Sequence, residues 1–372
     1  MLSHYKKIFL IFLVLLLSIF LVALNFFLLF QKKYIAENVI FDFKKITDDH
    51  GDVVSLLLDK DDSITTSTLA TSSDIKLLFF GDLMLDRNVK TKIDKNGLES
   101  LLGQLKTDNF TSGYDLVSCN LEGAVTDNGQ HYNPINAYDF AFAPSLIEEL
   151  KEYNFNYFNL ANNHLSDQGV LGINQTYKNL SNSNFYYSGC LDANFSNSSS
   201  SDLINIKLGE AMPVLTTDNC SDIILEIADK KIAMVGVSAV YKEIDVEKLI
   251  ERIKILKENS DWVIINFHSG VEYKTKSNVN QQKLYHQLVD AGADVIIGHH
   301  PHVTQEYEIY NGKPIFYSLG NFVFDQYFSA ETQAGLAISL VLKSDNSISF
   351  DVFDIKTTAS KITSITKIEK PL

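Results

Sequence analysis

Five apolar runs in this chain each end in side chains able to hold a cation. Asp82 follows Leu77–Gly81, and Asn120 and Glu122 follow Leu116–Cys119. Asn162, Asn163 and His164 follow Tyr157–Leu160. His268 ends the run begun at Trp262, and His299, His300 and His302 follow Asp294–Gly298. Carboxylate, amide and imidazole groups ligate hard and borderline divalent ions. Singly, each has an ordinary explanation. Asp82 suits a turn or a helix N-cap, Asn163-His164 suits turn chemistry, and a lone histidine such as His268 is commonly a satisfied core residue. His300-Pro301-His302 is the most specific element, because a proline-stiffened loop after a buried strand can aim both rings at one point. Five independent coincidences are harder to accept than one shared metal site.

The elements that must position these residues are legible as patterns. From Asp74 onward, strand-like runs fall at Ile75–Phe80, Leu116–Cys119, Tyr157–Leu160, Ile232–Val237, Trp262–Phe267, Asp294–Ile297 and Ile315–Ser318. Several are apolar at every position, which predicts burial on both faces. Helical spacing lies between them. Val246, Leu249, Ile250, Ile253 and Leu256 recur at three- and four-residue steps, Pro144 opens a helix over Ser145–Tyr153, and Asn280–Ala291 forms another. Strands separated by helices predict βαβ units and a layered α/β fold. Ligands of open α/β sheets bind outside the carboxyl ends of the strands, and all five runs carry their polar residues at that end. Ala334–Leu342 and Ile348–Ile355, joined by Lys343–Ser347, predict an antiparallel hairpin.

Composition narrows the function classes. With 45% hydrophobic and 21% charged residues, the chain can build a core and is not globally disordered. The net charge of -14 and the lack of a Lys/Arg cluster exclude ordinary nucleic-acid binding, which draws its affinity from neutralised phosphates. The same charge repels a polyanion unless a metal or a local basic patch intervenes. No C-x-x-C pair offers a thiolate zinc site. Cys119 reads as a small buried hydrophobe, while Cys190 and Cys220 flank a Ser/Asn-rich insertion and can pair if the domain lies outside the cell.

Residues Ile8–Phe30 are apolar except for Ser18 and Asn25. Such a run spans ~34 Å as a helix, enough for a ~30 Å hydrocarbon core. It is too long for a secretory signal and no A-x-A cleavage site follows, so it reads as an uncleaved anchor. Lys6 and Lys7 before it nearly balance Lys32 and Lys33 after it. The short leading segment and the Asn/Ser-rich insertion tip the expectation toward an extracellular C-terminal domain. Residues 31–73 read as a linker or stalk, with room for a short helix around Val53–Leu58. The expected organisation is a cytoplasmic tip and anchor over 1–30, a stalk over 31–73 and a folded domain over 74–372.

The segments FFGDLMLDR (Phe79–Arg87), NLEG (Asn120–Gly123), LANNHLSDQG (Leu160–Gly169), HSGVEY (His268–Tyr273), GHHPHV (Gly298–Val303) and YSLGNFVFD (Tyr317–Asp325) resemble, in order, the blocks of the CapA family. That family is named for poly-γ-glutamate capsule synthesis and is similar to calcineurin-like metallophosphatases. The resemblance implies a four-layer αββα sandwich and one or two divalent ions, Mn, Zn, Fe or Mg. It places Asp82 and His302 on a first metal, Glu122 between two metals, and Asn163, His268 and His300 on a second. His164 takes the position of a catalytic histidine that polarises or protonates a phosphoryl group, and His299 stands behind the ligands. Arg87 and Glu272, inside matched blocks, are candidate substrate-binding residues; Arg87 can clamp a phosphate or carboxylate, or form a structural ion pair. Asn321 reads first as the turn residue of the Gly320-Asn321 bend, with reaching the site as the alternative. The superfamily's D-x-H becomes Asp82-Leu83-Met84, which removes a nitrogen ligand, since a thioether suits hard ions poorly. The implied role is in making, exporting or anchoring an anionic polymer with partner membrane proteins. The alternatives are metal-dependent phosphoester hydrolysis and metal-assisted cleavage of the polymer. No G-x-S-x-G elbow supports a covalent serine nucleophile.

Overall fold

Along the strand Trp262–His268, neighbouring side chains enter two different cores. Trp262 and Ile264 join one apolar cluster, whereas Val263, Ile265 and Phe267 join another. The second cluster also takes Leu249, Ile253 and Leu256 from the helix Val246–Asn259, and Tyr285 and Leu288 from the helix Val279–Ala291. A strand buried on both faces has no polar side to alternate with, which explains the continuous apolar runs. Each such Val, Ile or Phe contributes about 1.5–3 kcal/mol by leaving water.

The computed structural model describes residues 74–189, 203–216, 222–241 and 243–369. The anchor at Ile8–Phe30, the stalk, the helix near Val53–Leu58 and the Cys190–Cys220 pairing fall outside the described residues. Among the described residues, no helix is long and apolar enough to cross a membrane. Cys119 is buried, as its setting predicts.

Two large sheets form the frame. Across the first run Lys361–Ile368, Ile348–Thr358, Ala334–Leu342, Ile75–Leu83, Leu116–Leu121, Tyr157–Asn159 and Tyr186–Ser188, with Asn321–Val323 paired parallel to Ile75–Leu83. The second runs Tyr307–Tyr310, Lys313–Phe316, Val295–His299, Trp262–His268, Lys230–Ser238, Ile223–Ile227 and Ile204–Lys207. The pairs that carry the polar strand ends are parallel in both sheets. Phe79 and Leu116 of the first sheet share one core cluster with Trp262, Ile264 and Phe316 of the second. Leu102 and Leu105 of the helix Glu99–Thr107, and Ile173 and Tyr177 of the helix Gly169–Asn182, complete it.

The predicted hairpin is present and extends the first sheet. Ala334–Leu342 pairs antiparallel with both Ile75–Leu83 and Ile348–Thr358. A further strand, Lys361–Ile368, continues the meander; its mixed Lys, Thr and Ser content hid it from the apolar-run criterion. The segment predicted as one helix over Ser145–Tyr153 is an α-helix from Pro144 to Glu149 followed by a 3₁₀ turn, Leu150–Tyr153. Asn154 then closes it in the left-handed conformation that asparagine tolerates.

Candidate metal centre

Strand register sets the first half of the site. Asp82 lies opposite Asn321 on one side and Asn120 on the other, and Asn120 lies opposite Asn159. Four adjacent strands therefore place polar side chains at one level near the sheet's end. In the second sheet His268 lies between Ser238 and His299. The ligand types thus come from the ends of two sheets, not from one edge as the strand pattern suggested. Close backbone approach makes the first row possible. A Cβ on Gly81 would stand 2.0 Å from the Gly320 carbonyl oxygen, and that closeness lets the Asp82 N–H donate to Gly320 at 2.9 Å.

Asn120 organises the interior. Its Nδ2 donates to Asp82 Oδ1 at 2.8 Å and faces His268 Nδ1 at 3.3 Å. Its Oδ1 accepts from Asn159 at 2.9 Å and from Asn162 at 3.2 Å. With a donor facing Nδ1, the hydrogen of His268 is assigned to Nε2, which meets Asn163 Oδ1 at 2.8 Å. Asn163 reaches the site through this bond.

The remaining predicted residues converge on the same place. His302 Nδ1 is 3.5 Å from Asp82 Oδ2, and its Nε2 is 3.7 Å from Glu122 Oε1. His164 Nε2 approaches Glu122 Oε1 from another side, also at 3.7 Å. Its Nδ1 is held by Asp167 at 2.8 Å. His299 Nδ1 lies 3.3 Å from Asp82 Oδ1. The His300 ring centre is 4.9 Å from that of His268 and 6.0 Å from that of His302. Ligand atoms of Asp82, Glu122 and His268 lie within 4.8 Å of one another, and so do those of Glu272, His300 and His302.

These residues fit a divalent ion. Asp82, Glu122 and His268 are fully buried. Glu122 Oε1 and His300 Nδ1 are buried with no hydrogen-bond partner, an arrangement costing about 1–3 kcal/mol per group unless something satisfies it. His300 and His302 both have positive φ, 97° and 57°. Non-glycine backbone of that kind persists where surrounding structure over-determines it, commonly at functional sites.

The charges act on one another. Burial works against ionised Asp82, but its contacts with His299 and His302 outweigh burial and hold the carboxyl well below its ordinary range. Burial pushes Glu122 up to about 7, with Asp82 adding to the shift and His302 opposing it. Burial disfavours a charged His302, yet Glu122 and Asp82 carry it up to about 9. Burial and neighbouring imidazoles depress His268 and His300, the latter to about 4. His164 is raised: burial opposes its proton, but the bond to Asp167 and the charge of Glu122 prevail. Burial thus favours neutral His268 and His300, whereas the facing carboxylates favour the proton on His164 and His302.

Outside this cluster opens a cavity of about 700 Å³, lined among others by Arg87, Phe140, His164, Glu272, Tyr273 and His302. The Arg87 guanidinium pairs with Asp325 and sits 5.0 Å over the Phe140 ring, so its planar fork already meets an internal carboxylate. Glu272 stands on the cavity wall. Asn321 corrects the first sequence reading: it is no turn residue but part of a strand, and its Oδ1 meets His302 Nδ1 at 3.0 Å while its Nδ2 donates to the Thr332 carbonyl. Asp167 and Asp325 escaped the sequence reading of the site. Asp167, three residues after His164, carried a local signal; Asp325 is 238 residues from Arg87 and carried none.

Comparison with known proteins agrees with the blocks. Residues 76–326 match the family model described as bacterial capsule synthesis protein PGA_cap. The chain is 31% identical over 292 residues to the PGA biosynthesis protein CapA of Bacillus subtilis, covering 78% of this chain and 74% of that one. It is 30% identical over 265 residues to the capsule biosynthesis protein CapA of Bacillus anthracis, covering 70% of this chain and 62% of that one. A solved putative 5'-nucleotidase from Staphylococcus aureus aligns over 80% of this chain and 54% of its own length, at 13% identity and a TM-score of 0.44. On the family match, which spans most of the folded region, this chain belongs to the bacterial capsule synthesis (PGA_cap) family.

Proposed function

We propose that this chain is a membrane-anchored, outward-facing component of the machinery that makes or exports poly-γ-glutamate or a related anionic capsule polymer. In this reading residues 1–30 form a tip and anchor, 31–73 a stalk, and 74–372 a metallophosphatase-like αββα domain whose two sheets are the inner layers. One observation carries the reading: Asp82, Glu122, Asn163, His164, His268, His300 and His302 gather in one cluster, of which Asn163, His164 and His302 line one cavity, in a member of a capsule-synthesis family. A divalent ion held by Asp82, Glu122, Asn163, His268, His300 and His302 would supply positive charge and Lewis acidity there.

Charge gives that ion a part in holding an anionic polymer. Arg87 is matched by Asp325, and Glu272 and Asp167 also line the cavity. These carboxylates offset Arg87, His164 and His302, so the wall without an ion offers carboxylates little net attraction; a bound ion adds positive charge beneath it. Partner membrane proteins of a synthesis or export complex would deliver or receive the polymer.

Phosphoester hydrolysis is the second reading, favoured by His164, whose Nδ1 is held by Asp167 while Nε2 faces Glu122. Against rapid turnover stands Met84, buried where the superfamily has a histidine. Loss of one well-placed electrostatic group commonly lowers a rate ~10²–10³-fold. Slow or undetectable hydrolysis of generic phosphodiesters is expected.

Polymer production by cells carrying His302→Ala or His164→Ala separates the readings. If the ion recognises polymer or holds the site together, His302→Ala abolishes production and His164→Ala has little effect. If hydrolysis is the role, both abolish it. Vigorous phosphoesterase turnover by the wild-type protein would reverse the order of preference. Protease added to intact protoplasts should degrade the 74–372 domain; protection would refute the outward orientation.

A further inference from the structure

Met84 occupies the place of a metal-binding histidine but is committed elsewhere. Its sulfur accepts the Asp86 N–H at 3.0 Å in the turn that begins the helix Arg87–Asn96, and the side chain is fully buried. The first strand therefore offers the ion only Asp82. On the other side of the site stands a side chain that the ligand pattern leaves out. Glu272 lies four residues beyond His268 in the loop before the helix Val279–Ala291. One of its carboxylate oxygens and a ring nitrogen from each of His300 and His302 lie within 4.8 Å of one another.

His300 supplies an independent sign of a missing partner. It is only 4% exposed, and its Nδ1 has no hydrogen-bond partner. Pro301 and the two left-handed histidines hold that ring next to His302. One carboxylate with two imidazoles is a set that Zn, Mn and Fe accept, at ~2.0–2.2 Å for each bond in the case of zinc. Bond lengths of that kind would need the half-exposed Glu272 side chain to turn inward, while Asp82, Glu122 and His268 form a separate trio.

We infer that Glu272 is a metal ligand, closing with His300 and His302 a site separate from that of Asp82, Glu122 and His268. This rests on the metal-binding reading above. It also changes the pairing expected from the superfamily, since His300 and His302 then share an ion instead of serving two.

The test uses the full-length chain in detergent, stripped with chelator, reloaded with Mn²⁺ and desalted. Metal per chain is measured by mass spectrometry, and electron paramagnetic resonance follows the coordination. The expected result is two Mn²⁺ in the wild type and one in both Glu272→Ala and Glu272→Gln, with loss of any exchange-coupled signal. Matching circular dichroism and melting curves of the stripped proteins show that the variants are folded. If the variants keep the wild-type metal count and spectrum, Glu272 is not a ligand, although the site still binds metal. If the wild type itself retains no Mn²⁺, both this inference and the metal-binding reading fall.

Discussion

Asn120 is the residue whose replacement most directly tests how the site is built. Asn120→Leu keeps the branching and the number of heavy atoms but removes five polar contacts, to Asp82, Glu122, His268, Asn159 and Asn162. The consequences differ among the partners. Asn162 still donates to the Leu121 carbonyl at 2.8 Å. The Asn159 Nδ2 keeps only a contact at 3.5 Å to the Ala161 carbonyl, and Asp82 loses its shortest donor. Three buried groups, on Asp82, Glu122 and Asn159, are therefore left short of partners, at about 1–3 kcal/mol each, for a total of about 3–9 kcal/mol. Because Asn120 also orients His268, metal affinity should fall about 10–100-fold, as for loss of groups that support ligands. Urea unfolding of the metal-stripped protein reads the first effect, and competition with a chelating dye at fixed pH reads the second. A stability loss below about 1 kcal/mol together with unchanged metal affinity would refute the claim that this network positions the site.

Gly81→Ala should be destabilising by at least about 1–3 kcal/mol, since its Cβ would stand 2.0 Å from the Gly320 oxygen and the strands must part; a melting curve like that of the wild type would contradict this. Asp325→Asn leaves Arg87 without its carboxylate, so the metal-loaded protein should bind γ-linked glutamate oligomers about fivefold more tightly, worth about 1 kcal/mol at solvent-like screening; titration calorimetry showing weaker binding would count against it. Burial pushes the Tyr285 hydroxyl up to about 12, against about 10 unfolded. Its contribution is complete below pH 10 and is lost as pH rises toward 12, by roughly 3 kcal/mol in all. Tyr285→Phe should flatten the alkaline decline in stability by about one proton's slope, and an unaltered slope would disprove it.

The residues most visible in the sequence were those whose role depends on local pattern. Strands buried on two faces announce themselves as unbroken apolar runs, so Trp262–His268 and Val295–His299 could be located before any fold was known. The histidines at their ends followed directly. His300-Pro301-His302 was legible because proline restricts the chain within three residues. The anchor expectation at Ile8–Phe30 rests on the same kind of local evidence and lies outside the described residues.

Tertiary structure alone decided the partnerships, because they join residues remote in the chain. Asn321 looked like a turn next to Gly320, and only its parallel pairing with Asp82 brings it to His302. Arg87 could have faced solvent or a ligand until Asp325 arrived from 238 positions away. Glu272 read as a candidate substrate-binding residue, whereas the folded loop puts it near His300 and His302. The choice between one sheet edge and two was likewise beyond local pattern. A strand's own residues report how deeply it is buried; strand order and register depend on which distant segment completes its hydrogen bonds, and those contacts align the carboxylates of the first sheet with the histidines of the second.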